Sequence, residues 1–315
     1  MPETEIIEVP VHKPFIMANT EVASLHDLQH KHIIPVYVKD NEPLISHYDF
    51  IKGVHEVAGH VYGYEDVTNP IARVSHPIKG RVPEARNKPA IDLLDKEKTL
   101  YYERMMFLIE IPAYSEDIGG NRLSLAVGGV KAYNLDNLYN KKGTLEHFKV
   151  FVGYKNSVCT NLCVSTDGLL TDLKVASLEE LLNKTHEMLT KFNAMEHLED
   201  MRTWVDYELS DKQFAQLIGR CRLYQYLSPK QRQEILPLQF GDQQISSVCK
   251  DYYKDRSFCR SDNGSINLWK LYNLFTGANK SSYIDGFLER AANAGEFVSG
   301  LQHAMDGKAN SWFLQ

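Results

Sequence analysis

Several histidines stand at spacings that could bring two imidazole rings together. His26 and His30 are four residues apart, which places both rings on one face of a helix, as a shared metal ion requires. His55 and His60 are five residues apart, so a helix would direct them roughly 140° from each other. The spacing identifies no third ligand, and we therefore predict no metal site and no cofactor.

An enzyme without a motif remains one hypothesis, because acid–base catalysis needs only scattered polar residues. The sequence contains no nucleophile elbow, dinucleotide fingerprint or calcium loop. Such a metal-assisted enzyme would use His26, His30 and His55, or the polar cluster of Asn134, Asp136, Asn137 and Asn161.

The stretch Thr276–Ser282 is similar to the end of a phosphate-binding loop, but Leu274 and Asn279 stand where its two glycines belong. We therefore expect Ser281 or Ser282 to cap the following helix. Together with Lys280, that helix terminus could hold one phosphate.

Bases and aromatic rings are interleaved in the C-terminal half of the chain. They alternate in Arg220–Tyr226, in Lys250–Arg256 and in Trp269–Tyr272. Proteins that bind single-stranded nucleic acid use this combination, because cations neutralise phosphates and rings stack on bases. Our candidate residues for single-stranded DNA are Lys131, Tyr133, Lys149 and Lys155 on predicted strands, with Arg220, Arg222, Tyr252, Lys254, Arg256, Arg260 and Lys280 beyond them.

Charge is distributed unevenly along a chain whose formal net charge is -6. Residues 212–290 carry twelve bases and seven acids, whereas residues 177–211 carry nine acids and three bases. The acidic helix predicted at 177–209 therefore faces water or a basic partner. This leaves a third hypothesis, an accessory factor that forms homo-oligomers or binds a basic protein through that helix.

The hydrophobic pattern predicts an α+β scaffold for these residues. Apolar residues alternate in five runs between residues 71 and 164, which predicts an antiparallel sheet of about five strands. In the fourth run Phe148, Val150, Val152 and Tyr154 share one face, so we expect a hairpin with one buried face. A further strand is predicted at 32–38.

Capping residues mark where helices begin. Ser46 opens a helix that stops near Gly63, and Ser177, Ser210 and Ser228 open helices after the sheet, where four to six are expected. We predict a flexible tail at 1–20, a mixed α/β sheet region at 21–175 and a helical region at 176–315 that packs on the sheet as one unit.

The 315 residues are 43% hydrophobic, which is enough to bury a large core. The N-terminus has no apolar run typical of a signal peptide, and no stretch of about 18 apolar residues occurs. We therefore expect a cytoplasmic protein with no membrane partner and with its five cysteines reduced.

Three stretches carry a resemblance to known families: Leu125–Tyr139, His147–Asn161 and Asn267–Ser282. Nearly end to end, the chain resembles an uncharacterised domain-of-unknown-function family encoded on conjugative elements of gut anaerobes. Phe148–Asn161 and Asn267–Thr276 are more distantly similar to the phage/plasmid-like protein family. The resemblance implies a mobile-element accessory protein for DNA annealing, replication or recombination, and it supplies no active-site residues.

Overall fold

The computed structural model describes residues 14–30, 45–76, 78–81, 83–85, 87–101, 103–132 and 145–315. Its strands are β1 (Thr20–Ala23), β2 (Ile71–Ser75), β3 (Ile78–Arg81), β4 (Lys98–Tyr101), β5 (Arg104–Ile118), β6 (Asn121–Ala132), β7 (Glu146–Asn156), β8 (Leu162–Val175), β9 (Glu208–Leu209) and β10 (Ile266–Asn267). Its α-helices are α1 (Leu25–His30), α2 (His47–Tyr62), α3 (Leu178–Lys191), α4 (Ala194–Thr203), α5 (Asp211–Tyr224), α6 (Pro229–Arg232), α7 (Asp242–Lys254), α8 (Leu268–Asn279) and α9 (Ile284–Met305). The α+β class is confirmed.

One antiparallel sheet of six strands dominates the fold, in the order β1-β2-β5-β6-β7-β8. Strands β3 and β4 form a separate hairpin, and β9 pairs with β10. The sheet has one strand more than expected because β1 comes from the end of the predicted tail and the segment that follows it. Within that tail, Phe15 and Ile16 are buried. The strand predicted at 32–38 lies outside the described residues.

Helix α2 covers one face of the sheet, which we call the α2 face. Its Phe50 ring lies 5.1 Å from the ring centroid of Phe107 and 4.8 Å from that of Phe148. Gly129 makes this approach feasible, since a Cβ there would lie 2.5 Å from Phe50 Cζ. The aromatic contacts of Phe50, and the absence of a Cβ atom at Gly129, therefore allow α2 to pack closely against the strands.

Helix α9 covers much of the opposite face, which we call the α9 face. Phe287 and Leu288 from the helix pack in one cluster with Met106, Phe151 and Val164 from the strands. Both faces of β7, and of β8 from Leu162 to Val164, are therefore buried, and our expectation of a hairpin with a single buried face was wrong. The expectation assumed that the polar residues alternating along β7 face solvent. Two of them, Lys149 and Lys155, instead form ion pairs with Glu289 and Glu110 on the covered face.

Local capping places the helices where the sequence predicts them. Ser46, Ser177, Ser210 and Ser228 each accept a hydrogen bond from the backbone N–H three residues later. Seven helices follow β8 within residues 145–315, one more than the largest expected number. No helix among the described residues has the length and apolar character needed to cross a bilayer.

A buried histidine in α4 makes the fold sensitive to acid. His197 is 6% exposed and packs edge-on against Tyr154, with 5.7 Å between ring centroids. Burial lowers the pKa of His197 from its ordinary value to about 4. The folded protein therefore holds the ring neutral, and protonation opposes folding.

We expect His197 to reduce stability as the pH falls. Because its folded pKa lies below the unfolded value, its contribution is complete above about pH 6.5 and is lost as the pH approaches 4, a loss of up to about 3 kcal/mol. Urea unfolding across this range should show a His197→Gln variant with a flatter pH profile than the wild type. The exposed His60→Gln variant is the control, and a His197→Gln profile parallel to that of the wild type would contradict the prediction.

Candidate nucleic-acid interface

Lys131 on β6 is a core residue of the α2 face. Its side chain is fully buried, its Nζ lies 2.8 Å from Glu146 Oε2, and its ammonium stands 4.2 Å from the Phe148 ring centroid. A phosphate could approach only by displacing Glu146 and opening the core. Tyr133, two residues further on, lies outside the described residues.

Lys149 and Lys155 on β7 point to the α9 face, opposite to Lys131. Lys149 is 7% exposed, and its Nζ lies 2.5 Å from Glu289 Oε1 and donates to the Asp285 carbonyl. Lys155 forms an ion pair with Glu110 of β5. The predicted sheet lysines therefore lie on two faces and each already holds a carboxylate, so they do not form one cationic platform.

Lys280 and Asn161 belong to a buried polar network. Lys280 is 7% exposed, and its Nζ donates to the Cys159 carbonyl and, at 2.9 Å, to Thr160 Oγ1. Asn161 Nδ2 donates to the Asn273 carbonyl at 2.9 Å, and Asn156 Nδ2 donates to Asn273 Oδ1 at 3.2 Å. The network ties the β7–β8 turn to α8, so it joins the two stretches that carry the distant resemblance.

The helix after Lys280 also begins differently from the expectation. Its N-cap residue is Tyr283, which makes no side-chain capping hydrogen bond, whereas Ser281 or Ser282 was expected there. Ser282 Oγ instead donates to Asn279 Oδ1 at 2.6 Å inside the protein. The phosphate site predicted from this segment is thus replaced by internal hydrogen bonds.

Tyr252 in α7 is buried and cannot stack on a base. Its ring lies 3.8 Å from that of Phe214 in a stacked arrangement, and its hydroxyl donates to Asp211 Oδ1 at 2.9 Å. Burial, with the Asp211 carboxylate, raises the pKa of Tyr252 to about 12. The next ring, Tyr253, is 60% exposed and carries the Arg260 guanidinium 4.7 Å from its centroid.

Helices α5 and α7 lie antiparallel and present a shared solvent-facing side. The start of α5 meets the end of α7 at the Phe214–Tyr252 stack, and the end of α5 meets the start of α7 where Arg222 Nε donates to Asp242 Oδ1 at 3.2 Å. Burial raises the pKa of the Cys249 thiol, and the charge of nearby Arg222 opposes that rise.

Cys249 and Tyr253 are four residues apart and lie on one side of α7. Arg222, Cys249, Tyr253 and Arg260 therefore define what we call the outer face. Tyr226, one helical turn beyond Arg222, is 79% exposed.

The remaining predicted cations divide between this region and another side of the molecule. Lys254 and Arg256 are exposed and follow Tyr253 along the chain. Arg220 instead donates from Nη2 to the Gln315 carbonyl at 3.0 Å and lies 4.7 Å from the Trp312 ring centroid. Residues 222–260 contain seven bases and four acids, so the region around the outer face keeps a modest positive excess.

The histidines of the enzyme hypothesis form a pair but no larger cluster. The His26 and His30 rings stack on α1 with 4.4 Å between centroids, while His55 belongs to α2. Among the described residues no three His, Cys, Asp or Glu side chains are grouped so that they could hold a metal ion. Asn134, Asp136 and Asn137 lie outside those residues.

The chain matches one family over residues 4–314, described as "Domain of unknown function, B. Theta Gene description (DUF3871)". It belongs to this family. Comparison with curated proteins and with solved structures gives no significant match. The family description states no activity.

Two exposed tyrosines were missed by the sequence analysis, and one of them could have been found. The buried stripe of α7 contains Ile245, Val248 and Tyr252, which follow helical spacing and leave Tyr253 outside. Tyr226 carries no comparable signal, since it lies just after the end of α5.

Replacement of Lys131 separates a structural role from a binding role. We expect Lys131→Met to lower the free energy of unfolding by about 3 kcal/mol or more, because Glu146 would keep a half-buried charge without this partner. Lys52→Met should change it by less than about 1 kcal/mol, since that lysine is exposed and lies 3.9 Å from Glu56. Urea unfolding measures both. An unchanged stability for Lys131→Met, combined with weaker DNA binding, would assign Lys131 to binding instead.

Proposed function

We propose that this protein binds single-stranded DNA along the outer face of the α5–α7 pair. The observation that carries the proposal is the exposed Tyr253 ring beneath the Arg260 guanidinium. A base can stack on the ring while the guanidinium meets the neighbouring phosphate. The sequence suggested Tyr252 as the stacking residue, whereas the exposed ring next to a guanidinium group belongs to Tyr253.

The length and charge of the outer face suit an extended strand better than a single nucleotide. Helix α7 has 13 residues, which corresponds to about 20 Å along its axis. Arg222 and Tyr226 lie near one end of the helix pair, and Tyr253 and Arg260 lie near the other. A strand that follows the pair would thus meet a ring at each end, with Arg260 beside one ring and Arg222 near the other. Arg222 pairs with Asp242 but, unlike the sheet lysines, its side chain is 56% exposed and remains accessible to a phosphate.

The wider role we propose is support of DNA annealing, replication or recombination for a mobile genetic element. The resemblance of the chain to proteins encoded on conjugative elements supports this context by association. The acidic stretch predicted as one helix at 177–209 is divided between α3 and α4. Helix α3 has three acids and two lysines, and Lys184 and Lys191 lie 2.9 Å and 2.6 Å from Glu180 and Glu187, so it offers a basic partner little net charge. Single-stranded DNA is therefore the partner that we favour.

The experiment is fluorescence anisotropy with a labelled oligothymidine at several salt concentrations. We expect log affinity to fall with log salt by about 0.7 for each phosphate neutralised. Tyr253→Ala should weaken binding roughly tenfold with little change in slope, because stacking is lost and no charge is removed. Arg222→Gln with Arg260→Gln should reduce the slope by about 1.4.

Matched controls come from residues outside the helix pair. Tyr283→Ala removes a tyrosine that is 62% exposed, and Arg122→Gln removes an exposed arginine of β6. Both variants should bind as the wild type does. Absence of binding at low salt, or equal losses from Tyr253→Ala and Tyr283→Ala, would refute the proposal.

A further inference from the structure

A cavity of about 450 Å³ opens on the α9 face, at the end of the sheet away from the main helix contacts. Strands β1, β2, β5 and β7 line it, together with the segment that contains Phe15. Helix α9 packs on β5, β6 and β8 and leaves the β1–β2 end open. The volume lies in the range of small-molecule sites.

The floor of the cavity is apolar and accessible. Val22 of β1 is 69% exposed and Ile71 of β2 is 45% exposed, although they belong to a sheet whose centre is sealed on both faces. Ile71 stands opposite Leu108 in the strand register, and Val22 stands opposite Arg73. The register therefore brings an apolar surface and a cation side by side on one face.

Arg73 is held in position by β1. Its Nε donates to Thr20 Oγ1 at 2.9 Å and its Nη2 donates to the Thr20 carbonyl at 2.7 Å. Among the described residues, the hydrogen bonds of Arg73 come from Nε and Nη2 alone, and no carboxylate forms a salt bridge with this arginine. Burial lowers the pKa of Arg73, which indicates partial removal of its hydration.

The other charges in the cavity compensate one another. Lys155 forms its ion pair with Glu110, so these two contribute no net charge and leave the lining with the single positive charge of Arg73. Thr160 forms part of the wall in a left-handed backbone conformation with φ of 59°, which is unusual for a β-branched residue. Its hydroxyl lies 3.2 Å from the Pro14 carbonyl oxygen and 2.6 Å from that of Cys159, and it can donate to either.

We infer that this cavity binds a small aromatic carboxylate, with the ring on Val22 and Ile71 and the carboxylate on the Arg73 guanidinium. A planar apolar body matches the floor, and one negative charge matches the one uncompensated cation. Guanidinium groups favour carboxylates because their parallel N–H groups meet both oxygens. This site lies on the sheet and is independent of the outer face of the α5–α7 pair.

The test compares naphthoate with naphthylmethanol, which has the same ring and no charge, by isothermal titration on the full chain. We expect naphthoate to bind roughly tenfold or more tightly than the alcohol, as a charge-assisted hydrogen bond allows. Arg73→Gln should reduce naphthoate affinity to that of the alcohol. Arg122→Gln should change neither affinity.

A second variant keeps the test decisive if Arg73→Gln folds poorly. Val22→Trp places a large ring on the exposed floor and should reduce the affinity for both ligands while it retains the cation. Tyr253→Ala should leave naphthoate binding unchanged, which separates this site from DNA binding. Equal affinities for acid and alcohol, an undiminished preference in Arg73→Gln, or no measurable naphthoate binding would overturn the inference.

Discussion

Burial of both faces of the central sheet is the constraint on which the rest of this structure depends. A strand covered on two sides has no polar face, so any charged residue in it must find a partner inside the protein. Lys131 meets Glu146 on the α2 face, while Lys149 meets Glu289 on the α9 face. The first pair joins β6 to β7 and the second joins β7 to α9, and both occupy cations that a sheet open to solvent would offer to a ligand.

The same constraint determines where binding chemistry can occur. With the centre of the sheet closed, the two proposed sites lie away from it, one on helices outside the sheet and one at the margin that α9 does not reach. The outer face of the α5–α7 pair is the first kind of place, and the cavity beside Arg73 is the second. One offers an elongated surface with separated rings and a modest positive excess, and the other offers a small concave site with a single net charge.

The sequence predicts features that depend on neighbouring residues, such as helix starts. It does not predict the burial of side chains that contact segments far away in the chain. Ser210 caps its helix through a residue three positions away, so its pattern alone determines the helix start. Burial of Lys149 depends on a helix about 140 residues later, and no local pattern of β7 contains that information. Alternation of apolar and charged residues normally indicates that one face of a strand is exposed to solvent. In β7 the lysines on that face are buried or half-buried, because acidic residues of α9 and β5 pair with them.

The candidate interface likewise contains one residue that the sequence pattern could have identified and one that it could not. The spacing of Ile245, Val248 and Tyr252 is enough to predict that these three residues share the buried side of α7. The same spacing places Tyr253 outside that side, as an exposed tyrosine. Arg220 and Arg222 look equivalent in sequence, but they are two residues apart on a helix and so point to different sides. Only the structure shows which of the two accompanies the exposed ring.

The pairing of β7 with α9 also affects how the chain must be made. The carboxylate that neutralises Lys149 is synthesised about 140 residues after that lysine, and so are the apolar groups of α9 that cover Phe151. An emerging chain that has already formed the hairpin therefore exposes an apolar surface and an unpaired charge until α9 leaves the ribosome. Completion of the α9 face therefore waits for α9, and a chain that stops before this helix would expose an aggregation-prone surface.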